Sequence, residues 1–72
     1  MEFKLKSEFI ELDNMLKAME LVASGAQAKQ QILAGAVSVN GQVERRIRRK
    51  LRSGDVVAFA SHQVQICVQG HD

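Results

Sequence analysis

The chain has no proline, no tryptophan and no tyrosine, and only one cysteine, Cys67, among its 72 residues. A lone cysteine cannot form an internal disulfide, and this suits a reducing compartment. Three phenylalanines are the only aromatics, too few for the ring platform on which single-strand readers stack bases. Low-complexity tracts and internal repeats are also missing, which excludes linkers and solenoids and leaves a chain compact from about residue 3 to residue 69. No apolar run approaches the ~18 residues of a membrane span. The start, Met1-Glu2-Phe3-Lys4-Leu5-Lys6, lacks the apolar segment of a signal peptide. The expectation is a cytoplasmic protein with no membrane partner.

Catalytic patterns are equally scarce. There is no CxxC or HxxxH spacing, no glycine-rich phosphate loop and no Ser/His/Asp arrangement. His62, Cys67 and His71 sit in a turn, a strand and a chain end, a poor zinc site. Glu8 and Glu11 precede a helix and serve its dipole better than acid–base work. The reading is no enzyme, no metal and no cofactor.

What remains is a small globular composition, 46% hydrophobic and 25% charged. Seventy-two residues make one domain, 1–72, with a stability margin of about a few kcal/mol. The net charge of +2 conceals a polarised chain. Before residue 45, four basic residues face six acidic ones, a balance of −2; from residue 45 onward, six face two, a balance of +4. Those six are Arg45, Arg46, Arg48, Arg49, Lys50 and Arg52. Like charges repel, and a small domain gains nothing by crowding them unless a polyanion neutralises them. Arginine dominates, and its planar fork suits bidentate phosphate contact.

The periodicity supplies a scaffold. Phe3 to Lys6 alternate as a short edge strand. Leu12, Leu16 and Met19 form the stripe of a helix of about ten residues, with Asp13 in its first turn and Lys17 as the partner of Asp13. Ser24 with Gln27 three residues later is a capping box. It opens a second helix whose Ala28 and Ile32 face the core and whose stop is Gly35. Two or three residues between the helices would fold them back on each other. Val37, Val39, Asn40-Gly41 and Val43 then spell a hairpin. Gly54-Asp55 marks a turn before a strand at Val56–Ala60, and Ser61-His62 another before Val64, Ile66 and Val68 on one strand face, with Cys67 opposite. Val43, Ile47 and Leu51 tie the arginine segment to the core. The fold class is therefore α+β: two antiparallel helices packed on a small, mainly antiparallel sheet of about four to five short strands.

The layout Leu12-Asp13-x-x-Leu16, Ser24-x-x-x-Ala28-Lys29-x-x-Ile32-x-x-Gly35-x-Val37-x-Val39-Asn40-Gly41, then Gly54-Asp55-x-Val57 resembles the RNA-binding domain of the small-subunit ribosomal protein four type, the alpha-L motif. The likeness covers residues 8 to 60. Ser24-Gly25-x-Gln27-Ala28-Lys29 and Glu44-x-Arg46-x-Arg48-x-Lys50-Leu51 are similar to its free-standing YbcJ-like subgroup. The resemblance implies non-catalytic binding of structured RNA, with rRNA or tRNA as the candidates and a ribosomal or ribosome-assembly partner; a monomer is the default expectation. It places Ser24, Gln27 and Lys29 beside Asn40, Gly41 and the arginine segment on one RNA-facing side. Arg45, Arg46, Arg48, Arg49, Lys50 and Arg52 would then hold phosphates, and Lys29 and the Ser24 helix terminus would position the backbone. Asn40 could reach a base edge or a 2′-OH, although its turn role alone explains its presence. The chain departs from the wider family at Gly25 and Glu11, where many members carry arginine, and from the subgroup at Ala26, where a second glycine is usual. The arginine segment offsets the charge lost at the first two. The rival expectation is a protein-interaction adaptor whose basic face docks on an acidic partner, for example in ribosome assembly. Duplex DNA is disfavoured, because no helix presents base-reading side chains to a major groove.

Overall fold

The computed structural model describes residues 1–68, so His71 lies outside the described residues. The chain begins with strand β1 (Glu2–Leu5) and a two-residue strand β2 (Ile10–Glu11), which leads directly into helix α1 (Leu12–Ala18). The buried stripe of α1 is Leu12, Met15 and Leu16, with Met19 packed against the core just past its end. The helix has seven residues rather than about ten. It stops because Glu20 adopts a left-handed conformation, φ 59°. Glu20 N then donates to Lys17 O and Leu21 N to Leu16 O, both at 3.0 Å. This bond pair is the Schellman stop, usually built on glycine; here a glutamate hides it. Met19 to Ser24, six residues, therefore join the helices rather than two or three. Asp13 does not pair with Lys17: its carboxylate accepts the Asn14 N–H at 2.9 Å.

Helix α2 (Gly25–Leu33) starts where the Ser24 signal places it. Ser24 Oγ accepts from Gln27 N at 3.1 Å, and Gln27 Oε1 accepts from Ala23 N at 2.6 Å, one residue ahead of the usual capping-box partner. Ala28 and Ile32 are fully buried. Gly35, at φ 79°, ends the helix with the same bond pair, Gly35 N to Ile32 O and Ala36 N to Gln31 O.

Five strands follow: β3 (Val37–Val39), β4 (Gln42–Val43), β5 (Lys50–Leu51), β6 (Val56–Phe59) and β7 (His62–Val68). The main sheet runs β1-β7-β6-β3-β4. Asn40 and Gly41, at φ 54° and 85°, make the two-residue turn of the β3–β4 hairpin, with Val39 opposite Gln42. The turn between β6 and β7 is Ala60-Ser61 rather than Ser61-His62, since Phe59 pairs with His62. The chain start returns to lie parallel to β7, Phe3 opposite Ile66, so the sheet is mixed with one parallel pair. Leu5, Val37, Val39, Val57, Val64 and Ile66 join the helix residues and Leu51 in one apolar cluster. Val68, expected on the buried face, is 60% exposed, because the sheet ends at its pairing with Leu5. Among the described residues no helix is long and apolar enough to cross a membrane.

Candidate nucleic-acid interface

The arginine segment leaves β4 and runs into β5, which pairs antiparallel with β2. Ile10 faces Leu51 and Glu11 faces Lys50. Two more bonds fix it: Leu12 N donates to Arg49 O at 2.8 Å and Asp13 N to Ile47 O at 3.1 Å. The first N–H groups of a helix have no partner within it, and Glu11 provides no side-chain cap to α1. The carbonyls of the basic segment satisfy two of them instead. Leu51, wholly buried, and Ile47, half-buried, pin the same stretch from below. The positive charge therefore sits on backbone held at both edges rather than on a loose loop.

The side chains divide into three groups. Arg46, Arg48, Arg49 and Lys50 line one open groove of about 540 Å³. Lys50 Nζ lies 4.9 Å and Arg52 Cζ 5.5 Å from the ring centre of Phe9, both within cation–π range. Arg45 turns the other way, onto Gly35 at the end of α2: a Cβ on Gly35 would stand 2.8 Å from its guanidinium nitrogen. The negative end of the helix dipole makes that a favourable place for a cation.

Residues 3–67 match the S4 domain family. The chain belongs to the S4 domain family. It is 46% identical over 61 residues to YbcJ of Escherichia coli (strain K12), covering 85% of this chain and 87% of that protein. With the small ribosomal subunit protein uS4m of Schizosaccharomyces pombe (strain 972 / ATCC 24843) it shares 40% identity over 57 residues, 79% of this chain but 17% of that one. The fold agrees with the solution structure of YbcJ from E. coli, described as revealing an alfa-L motif involved in RNA-binding, at a TM-score of 0.71 and 44% identity over 93% of this chain and 86% of that one. This S4 domain thus has the α+β alpha-L architecture, with two helices and a mixed five-stranded sheet.

Within this S4 domain the groove is organised by an acid. Glu44 accepts from Arg46 three times, from its backbone N at 2.9 Å, Nε at 2.9 Å and NH2 at 3.0 Å. Arg49 Nε approaches the same carboxylate at 3.3 Å. The turn closed by Arg49 N donating to Arg46 O, at 3.3 Å, brings the two guanidiniums together. The Arg46 hydrogen bond, helped by the nearby Arg49 charge and opposed by burial, holds Glu44 down to about 2 from 4.5. Arg46 is raised in turn by its bond to Glu44. One polar atom in the cluster, Arg49 NH1, is buried with no hydrogen-bond partner.

The other residues singled out in the sequence fall elsewhere. Asn40 is committed to the fold on both sides of its amide: Nδ2 donates to Asp55 Oδ1 at 3.0 Å and Oδ1 accepts from Val56 N at 2.9 Å. Asp55 also takes Arg52 N at 2.9 Å. Burial pulls its carboxyl up, but these two hydrogen bonds and the Arg49 and Arg52 charges leave it below its usual range. Ser24 and Gln27 cap the far end of α2 from Arg45, roughly 14 Å away for nine residues at ~1.5 Å each. Lys29 is exposed on the helix between them. His62 is exposed, and Cys67 is a free thiol whose Sγ donates to Phe3 O at 3.6 Å.

Sequence reasoning passed over two residues. Phe9 belongs to no pattern in the sequence, and it proves to lie beneath Lys50 and Arg52. Glu44 stands in the sequence as the acid that opens the Glu44-x-Arg46-x-Arg48-x-Lys50-Leu51 pattern, with nothing to announce the contacts it makes.

Proposed function

We propose that this chain is a non-catalytic binding module for structured RNA, gripping phosphates with the groove formed by Arg46, Arg48, Arg49 and Lys50. Arg52 and Arg45 extend the positive surface to either side, and the Ser24 terminus and Lys29 of α2 position the RNA backbone. One observation carries the reading: the basic segment is bolted to the start of α1 by Leu12 N–Arg49 O and Asp13 N–Ile47 O, so its cations form a fixed array. Such an array matches a folded polyanion of fixed phosphate positions better than a flexible one. Membership of the S4 family and the RNA-binding role given to YbcJ's motif support the same conclusion. Likeness to a ribosomal protein supports rRNA, with tRNA as the next class, and a ribosomal or assembly partner.

Competition binding tests this. A labelled, folded rRNA fragment is displaced by unlabelled folded RNA, by duplex DNA of equal charge and by an acidic protein. Preference for folded RNA supports the reading. Equal displacement by duplex DNA reduces the surface to a generic polyanion patch, and preference for the acidic protein hands the site to the adaptor alternative.

A further inference from the structure

Glu44 presents a contradiction for a surface that binds a polyanion. It lies against the groove, repels phosphate, and cancels one of six local positive charges. A neutralising acid at an RNA surface lowers affinity unless it does something that charge alone does not. Its geometry shows what that is. Glu44 is anchored in the sheet by its backbone N donating to Val37 O at 3.0 Å. Its side chain is 12% exposed, against 74% for Arg46 and 24% for Arg49. The carboxylate is a fixed post, and the two guanidiniums are arranged around it.

Both oxygens of Glu44 are occupied: Oε2 by Arg46 Nε and backbone N, Oε1 by Arg46 NH2 and Arg49 Nε. A guanidinium has five N–H donors in a rigid fork. After Arg46 commits Nε and one NH2 hydrogen, the NH1 pair and the other NH2 hydrogen remain uncommitted, and with 74% exposure they stand in solvent. Arg49 is the inner member of the pair: its Nε is in ion-pair contact with Glu44 Oε1 at 3.3 Å, and its NH1 is buried with no partner. Arg48 and Lys50 complete the lining without ion-pair partners among the described residues.

We infer that Glu44 is the positioning residue of a preformed phosphodiester subsite, holding Arg46 against the half-buried Arg49 so that the exposed N–H groups of Arg46 meet an RNA phosphate at a set place. The inference rests on the RNA-binding reading of the same groove. A free arginine loses rotamer freedom when it grips a phosphate, and an arginine already fixed by Glu44 has lost it on folding. The benefit appears with a phosphate in a set place, as in folded RNA, and not with a flexible polyanion whose charges move to meet the arginines.

Glu44→Gln gives a test in which the two accounts predict opposite signs. The change is nearly isosteric and adds one unit of net positive charge. If Glu44 only neutralises, Glu44→Gln binds both a folded rRNA fragment and heparin more tightly. If it positions, the folded fragment binds about tenfold more weakly, ~1.4 kcal/mol, while heparin binding holds or tightens. Glu44→Asp is the second variant: it keeps the charge but is one methylene too short to engage both arginines, and it weakens the folded fragment in the same selective way. Circular dichroism and thermal melting show that each variant is folded. Should Glu44→Gln fail to fold, Glu44→Asp decides alone. Tighter binding of both polyanions by Glu44→Gln, or unchanged folded-RNA binding by a folded Glu44→Asp, overturns the inference. Failure of the wild-type chain to prefer folded RNA at all is a different result, and it overturns the binding reading beneath it.

Discussion

Arg48 and Lys50 are the residues at which the binding surface is most directly challenged. Both are exposed, both line the groove, and neither has an ion-pair partner among the described residues. Arg46 and Arg49 make poorer targets, since reversing either would set two carboxylates together at Glu44 and disturb the turn itself. If the four groove cations with Arg52 and Arg45 neutralise four to six phosphates, the logarithm of affinity falls against that of salt with a slope of roughly −3 to −5. Raising salt from 50 to 200 mM weakens wild-type binding by about 60- to 1,000-fold on that slope. Arg48→Glu with Lys50→Glu removes two contacts, lowers the slope by about 1.4 to 1.8, and shrinks the salt effect about tenfold. The assay is fluorescence anisotropy with a folded RNA at four salt concentrations, beside a thermal melt of each protein. A double variant that melts like wild type and keeps the wild-type slope would falsify the assignment of phosphate contacts to this groove.

Three further outcomes follow from packing and charge. Leu51→Ala, at a wholly buried position where the basic strand meets the core, should cost about 2–5 kcal/mol; urea unfolding reads it, and a loss under about 1 kcal/mol would mean β5 is not anchored as described. Gly35→Ala forces alanine to φ 79° and brings its Cβ against the Arg45 guanidinium. It should cost about 1–2 kcal/mol by the left-handed penalty alone, and full wild-type stability in the same assay would contradict that backbone. Acid should weaken the fold through Glu44. Its carboxyl is held at about 2 against 4.5, so its stabilising share is complete above about pH 4.5 and is lost as the pH falls through about 2. Asp55, also lowered, acts in the same direction. Melting midpoints between pH 6 and pH 2 should fall less steeply for Glu44→Gln than for wild type; parallel curves would show that the arginine–glutamate cluster is not coupled to folding.

Elements governed by a few consecutive residues were legible before any coordinates. Ser24 and Gln27 cap a helix by themselves, Asn40-Gly41 makes its turn by itself, and Gly35 ends α2 by itself. The same locality explains the misreadings. The stop of α1 uses glycine's bond pattern but places Glu20 in the left-handed position, and nothing in the residue type announces it. Val68 continues the alternation of Val64 and Ile66, yet only the extent of the sheet determines that it stays in solvent.

The basic segment shows where this limit falls. Its charge, its arginine bias and its apolar anchors are properties of the chain, and they predict a polyanion surface without knowledge of any contact. Its shape depends on residues far away in sequence. Ile10 and Glu11 pair with Lys50 and Leu51, Phe9 lies beneath Lys50 and Arg52, and α1 takes its first hydrogen bonds from Arg49 and Ile47. Two-residue strands have too few side chains to specify a partner by pattern, and a parallel pair between the chain's first and last strands has no turn to set its register. Composition and local propensity thus determined a small α+β domain with a concentrated positive charge. Burial of one shared core decided where that charge stands, and that it is arranged around Glu44.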